Sequence, residues 1–229
     1  LTSPAPPAPR AAERALRVQV VDAAGPVDGA VVRAVPLLDE SPLDAPLPTM
    51  ASGRDGVATI ALRGSGPWNV FAMRPGMARA LQRGVKADAL TLRMERGAIL
   101  RGVVRGADGR PVGGAAVVAE REDPTPASGA MMTMGPERWA APTMAGGSFV
   151  LRDLPSGTHA VEAVAFGHVS PPRQRVTLAA GAAVVLDLVL GAGATLRGLV
   201  HDETGPVSGA RVEAAAMRQT FRGRGFGVA

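Results

Sequence analysis

Three stretches of this chain carry the same phrase, and that repetition limits the fold more tightly than any single residue. Leu16-Arg17-Val18-Gln19-Val20-Val21-Asp22 leads to Gly25-Pro26-Val27-Asp28-Gly29-Ala30. Leu100-Arg101-Gly102-Val103-Val104 leads to Asp108-Gly109-Arg110-Pro111-Val112-Gly113-Gly114-Ala115, and Leu196-Arg197-Gly198-Leu199-Val200 leads to Gly205-Pro206-Val207-Ser208-Gly209-Ala210. The recurring prolines Pro26, Pro111 and Pro206 stand 85 and then 95 residues apart, the length of a small all-β domain and too long for a solenoid repeat. The spacing predicts a Pro/Ala-rich linker over 1–14, a first module over 15–96, a second over 97–192 and an incomplete third over 193–229.

Each opening phrase reads as a strand, a tight turn and a second strand paired as a hairpin, with Asp108-Gly109 supplying turn residues that tolerate positive φ. The second half of the module also recurs. Thr49-Met50-Ala51 precedes Gly56-Val57-Ala58-Thr59-Ile60, as Thr143-Met144-Ala145 precedes Gly147-Ser148-Phe149-Val150-Leu151. Six or seven short strands with turn signals every eight to twelve residues are expected to form an all-β chain of tandem antiparallel β-sandwiches, Ig-like or transthyretin-like. Between Val176 and Leu196 the only charge is Asp187, so the segment must be tested as a membrane span. The repeat lays Leu186, Leu188 and Leu190 on Leu90, Leu92 and Met94, an alternating pattern that predicts a closing strand and no membrane span.

The phrases Gly109-Arg110-Pro111-Val112-Gly113-Gly114-Ala115 and Gly147-Ser148-Phe149-Val150-Leu151-Arg152-Asp153-Leu154-Pro155-Ser156-Gly157, followed by Gly167, resemble the carboxypeptidase regulatory-like domain. The resemblance covers roughly residues 97–192 well, 15–96 less well, and half a module after 193. It implies a transthyretin-like sandwich of about seven strands that serves as a non-catalytic accessory or spacer, commonly in tandem in exported bacterial proteins.

Composition narrows the chemistry. With no Cys, disulfides, thiol chemistry and cysteine-ligated metals are excluded. The net charge is only +5, Lys86 is the only lysine among 25 basic residues, and no dense basic run is interleaved with aromatics, so nucleic acid is not expected as a partner. His159, His168 and His201 lack metal-ligand spacing and read as ordinary surface or turn histidines, leaving no metal and no cofactor expected. Among transthyretin-like enzymes, the ring-cleaving dioxygenases need a tyrosine iron ligand, and this chain has none. The purine-pathway hydrolase would need a Tyr-Arg-Gly-Ser ending. Ser148, His159 and Asp153 lack a nucleophile elbow, and no enzyme is expected. Lys86 and Asn69, in one module, invite an isopeptide crosslink like those of Gram-positive surface proteins, but the second module has neither residue.

Both complete modules are lengthened at one place, Pro36 to Pro48 and Glu120 to Pro142. The second insert holds Met131, Met132, Met134 and Trp139, with Arg121 and Arg138 nearby, and these six are the candidate interaction loop. The insert either presents a recognition surface or folds back to plug an Ala-rich core; soft-metal binding by its thioethers is a third possibility. The tail from Arg218 to Phe226 reads as a third module cut short rather than as a nucleic-acid segment. The chain opens at Leu1 on a Pro/Ala tether, as an excised piece or a mature form without its signal segment would. The expected function is a structural spacer and protein-interaction module of an exported or envelope-associated bacterial protein. Its partner would be another envelope or surface protein, or the rest of the parent chain. The alternative is a carbohydrate- or peptide-binding accessory region of a larger hydrolase.

Overall fold

The computed structural model describes residues 13–36, 47–63, 66–122, 137–195 and 197–212. It is all-β; the described residues contain no helix. Seven strands come first: β1 (Glu13–Val21), β2 (Val31–Pro36), β3 (Thr49–Ala51), β4 (Val57–Arg63), β5 (Trp68–Met73), β6 (Ala80–Val85) and β7 (Ala89–Arg93). They form a three-stranded sheet in the order β4-β1-β7 and a four-stranded sheet in the order β3-β2-β5-β6. The two sheets enclose a core of Leu16, Val18, Val20, Val32, Ile60, Leu62, Trp68 and Val70. β4 shows the alternation that a half-buried strand requires, with Ala58, Ile60 and Leu62 inside and Thr59, Ala61 and Arg63 outside.

The same topology is built again from β8 (Ala98–Arg105), β9 (Ala116–Arg121), β10 (Arg138–Pro142), β11 (Ser148–Leu154), β12 (Gly157–Val164), β13 (His168–Val169), β14 (Gln174–Leu178), β15 (Ala183–Val185), β16 (Leu188–Val189) and β17 (Gly191–Ala192). Here β11-β8-β15 faces β10-β9-β12-β14, β16 also pairs with β8, and β13 pairs with β17. A separate core gathers Leu100, Val104, Val117, Phe149, Leu151, Val161, Leu178, Leu188 and Leu190. In both sandwiches the closing strand runs parallel to the first: β7 along β1, and β15 and β16 along β8. Leu188 and Leu190 are buried like Leu92 and Met94, so the apolar stretch after Val176 is indeed a closing strand. No helix among the described residues is long and apolar enough to cross a membrane.

The repeated proline has a packing role. Gly56 and Gly147 both adopt positive φ (73° and 74°), and a Cβ on either would lie 2.5 Å from a strand carbonyl, that of Val20 or Val104. The same Cβ would lie 3.0 Å from the Cβ of Pro26 or Pro111. Only glycine fits there, which is why the proline phrase and the later glycine recur together.

Two expectations need correction. The opening phrase is not a hairpin: β1 and β2 belong to different sheets, and the turn carries an isolated bridge, Val21↔Pro26, matched by Arg105↔Pro111, in place of a ladder. Pro26 has no N–H to extend a ladder, and the chain crosses the core with Val27 and Ala30 buried between the sheets. The Thr-Met-Ala phrases are also not equivalent. Ala51 pairs with Val31 as Pro142 pairs with Ala116, so the counterpart of Thr143 is Ser52. Their chemistry matches: the Ser52 hydroxyl accepts from Ala30 N (2.9 Å) and donates to Val27 O (2.7 Å), and Thr143 does the same with Ala115 N (2.9 Å) and Val112 O (2.7 Å).

One difference between the sandwiches follows from one residue. Val18 is a core residue of β1, but its counterpart in β8 is Gly102, and the Leu186 carbonyl lies on it so closely that a Cβ would sit 2.6 Å from the carbonyl carbon. The closing strand therefore bulges between β15 and β16, where Leu186 N donates to Arg101 O (2.8 Å) and Val103 N to the Asp187 carboxylate (2.9 Å).

Residues Ala194–Ala229 form a separate unit. Its described part is a short hairpin of β18 (His201–Asp202) and β19 (Gly205–Pro206), whose turn is capped by the Asp202 carboxylate. Hydrogen bonds from the Thr204 hydroxyl and backbone hold that carboxyl below the usual carboxylate range.

Candidate functional site

The site lies where the first sandwich meets the second. Only Met94, Glu95, Arg96 and Gly97 separate β7 from β8, and this short link is bonded on both sides. Ala78 N donates to Glu95 O (2.9 Å) and Gly97 N to Gly76 O (3.0 Å), tying the link to the first sandwich. The Glu95 carboxylate reaches the second: Oε1 accepts from Ser156 N (2.6 Å) and Oε2 from the Ser156 hydroxyl (2.9 Å). Ser156 belongs to the Leu154-Pro155-Ser156-Gly157 turn, so the family-like turn is the socket of the joint. Asp153, just before it, is the one described non-glycine residue with positive φ (58°), and its carboxylate accepts from Gly76 N (3.1 Å). A Cβ on Gly97 would lie 2.5 Å from the Asp153 Cα, so the link and the turn touch backbone to backbone.

Beside this joint a cleft of about 630 Å³ opens. Ala80 to Arg83 of β6 and Thr91 to Arg93 of β7 line it consecutively, so strand edges bound it rather than sheet faces. Both strands are the last in their sheets, with no further neighbour among the described residues. The opposite wall is Arg121 at the end of β9, Glu137 and the Pro155-Ser156 turn. Four arginines, Arg79, Arg83, Arg93 and Arg121, face two glutamates, Glu95 and Glu137.

Arg79 crosses the joint. Its guanidinium bonds Glu137 at 2.9 Å and stacks 5.3 Å from the Phe71 ring of its own sandwich and 6.0 Å from the Trp139 ring of the other. Arg121 approaches the same Glu137 at 3.7 Å. The Nε–H groups of Arg79 and Arg83 are buried without an acceptor among the described residues, and such a group typically costs about 1–3 kcal/mol. Arg83 and Arg93 have no ion-pair partner among the described residues.

His159 is not a surface or turn histidine; it is wholly buried on β12. Its Nδ1 lies 3.3 Å from Gly157 O, which can only accept, so the proton is on Nδ1 and Nε2 is left without a partner among the described residues. The Trp139 ring meets it edge-on at 5.6 Å. Burial lowers the ring's pKa below 6.5; the Gly157 bond opposes this, Arg121 adds to it and Glu137 opposes it. The register makes Trp68 the counterpart of His159 in the first sandwich, and the Trp68 Nε1 is likewise buried and unpartnered. His159 is thus an aromatic core residue that replaces tryptophan. Ser148 faces solvent from β11, so it and His159 form no nucleophile pair.

Of the candidate interaction loop, Met131, Met132 and Met134 lie outside the described residues. Arg121 ends β9, and Arg138 and Trp139 stand on the edge strand β10 rather than in a loop. Trp139 packs on the second core, while Arg138 joins an exposed network with Arg173, Glu120 and Glu162. The structure thus places Arg121 and Trp139 beside the cleft, while Arg79, Arg83 and Arg93 went unsuggested by the sequence because the repeat has no arginine phrase there. Asn69 is buried and accepts from Gly84 N (3.3 Å), whereas Lys86 is exposed. No group of three or more potential metal ligands occurs among the described residues.

No curated protein sequence matches the chain. Solved structures similar to it include a minor pilin of Streptococcus agalactiae (12% identity, 82% of this chain and 100% of the pilin covered, TM-score 0.38). Others are the shaft pilin SpaA of Lactobacillus rhamnosus GG (13%, 81% and 100%, 0.35) and a streptococcal ancillary pilin (14%, 79% and 62%, 0.36). These scores fall below that of a common fold, and the two-sandwich architecture rests on the sheets themselves. Residues 99–191, which hold the β11-β8-β15 and β10-β9-β12-β14 sandwich, match the carboxypeptidase regulatory-like domain.

Proposed function

We propose that the chain is a non-catalytic spacer and interaction module of an exported or envelope-associated bacterial protein, with modules over 15–96 and 97–192 and an incomplete one over 193–229. The observation that carries this reading is the joint. Glu95 on Ser156, Asp153 on Gly76 and Arg79 on Glu137 turn two sandwiches into one body, as a spacer that transmits position requires. Limited trypsin digestion of the full chain tests it. Arg93 precedes the link and Arg96 lies within it, and both are protected if the joint is closed; rapid cleavage there in the folded protein contradicts the spacer reading.

The alternative, a peptide-binding accessory region, is favoured by one observation, the arginine-lined cleft bounded by two strand edges. The Met131, Met132 and Met134 segment remains a proposed recognition element. Replacing 123–136 by a short Gly/Ser turn is expected to remove a partner captured from envelope extract while leaving the sandwiches folded.

A further inference from the structure

We infer that the cleft at the joint is a binding site for an acidic peptide segment in extended conformation. The inference rests on the proposed single-body reading, because the cleft exists only where the two sandwiches are held together. Three observations point to this ligand.

The first is charge. Arg83 on β6 and Arg93 on β7 line the cleft without ion-pair partners among the described residues, and the Nε–H of Arg83 is buried with no acceptor. A planar guanidinium donor left in this state is suited to a carboxylate, which accepts two parallel hydrogen bonds. The second is that the cleft already shows this chemistry within the chain. Glu137 is held by Arg79 at 2.9 Å and approached by Arg121 at 3.7 Å, so one carboxylate is seated while Arg83 and Arg93 lack an ion-pair partner among the described residues.

The third is the wall. β6 and β7 each end a sheet and present consecutive residues to the cleft, so backbone N–H and C=O groups are available along with side chains. An incoming strand satisfies such an edge through main-chain bonds and places alternate side chains on one side. Inorganic anions use only the guanidiniums. The volume, about 630 Å³, suits a few residues of peptide.

The test uses the full chain and a fluorescein-labelled, C-terminally amidated peptide of alternating glutamate and valine, titrated by anisotropy beside its glutamine counterpart. The glutamate peptide is expected to bind with a Kd between about 1 and 100 µM, about tenfold or more tighter than the glutamine peptide. The double substitution Arg83→Gln, Arg93→Gln is expected to abolish that difference, and raised salt to shrink it. Equal curves for the two peptides, or no binding below about 1 mM, overturn the inference without recourse to any variant. Displacement by inorganic phosphate at matched charge also overturns it, since a site reading anions alone needs no strand edge. Trypsin protection at Arg93 and Arg96 in the same sample separates the two ideas. A protected joint without peptide binding refutes the cleft inference alone, whereas a cleaved joint refutes the single-body reading beneath it.

Discussion

Substituting Gly102→Ala puts the account of the second sandwich at risk with a single methyl group. The added Cβ would fall within the Leu186 carbonyl and 2.6 Å from its carbon, so the backbone between β15 and β16 must move away from β8. Overpacking of this kind costs about 1–3 kcal/mol. The movement also strains Leu186 N to Arg101 O and Val103 N to Asp187, each worth about 0.5–1.5 kcal/mol. The expected loss is therefore about 2–6 kcal/mol, a large part of the roughly 5–15 kcal/mol that holds a domain together. Each sandwich contains one tryptophan, Trp68 or Trp139, so in a Trp68→Phe background fluorescence follows the second sandwich alone. The melting temperature should fall by about 10 °C or more, at about 4–8 °C per kcal/mol for a domain this size. Gly146→Ala, where a Cβ meets nothing within 4 Å, should stay within about 0.5 kcal/mol of the parent. If Gly102→Ala melts like Gly146→Ala, the bulge is not set by Gly102 and the argument fails.

The hydroxyl clamps give a second expectation: Ser52→Ala and Thr143→Val should each lower stability by about 1–3 kcal/mol in urea melts, while Thr143→Ser keeps the clamp and most of the stability. His159 gives a pH dependence with a definite sign. Its folded pKa lies below the unfolded 6.5, so below that pH the unfolded chain takes up a proton that the folded chain resists. Stability should therefore fall as pH drops from 7.5 to 5.5, at most about 1.4 kcal/mol per unit from this group, and His159→Phe should flatten that part of the slope in urea midpoints. Arg173 is exposed, so despite its bonds to Glu162 and Glu120, Arg173→Ala should change the melting free energy by less than about 1 kcal/mol.

Much of the fold is legible in the sequence because it is written twice. The alternation in Val57 to Arg63 and in Leu186 to Leu190 reports burial directly, since side chains in strands alternate and cores select apolar residues. The hairpin was misread because Gly, Asp and Pro announce a turn without saying which sheet the next strand joins; the closing strand pairs with the first across 72 residues in one sandwich and 84 in the other. Thr143 was misaligned with Thr49 because identity of letters is a weaker guide than position in the ladder, where a serine serves as well as a threonine. His159 was misplaced for a related reason. Only its register with Trp68 shows that a histidine fills an aromatic core position. The cleft was hidden because it belongs to neither module: Arg79, Arg83 and Arg93 become neighbours of Arg121 and Glu137 only through the joint, and the repeat says nothing of how its copies meet.

The most direct test of that joint is a distance distribution between spin labels on the two sandwiches, measured by pulsed electron resonance. The chain has no native cysteine, so Thr59→Cys and Ser148→Cys, both exposed, place one label on each. A single narrow distribution, broadened by Glu95→Ala with Arg79→Ala, is the predicted result. A broad distribution in the otherwise unaltered chain would mean that the sandwiches move independently, and it would contradict the claim that they act as one body.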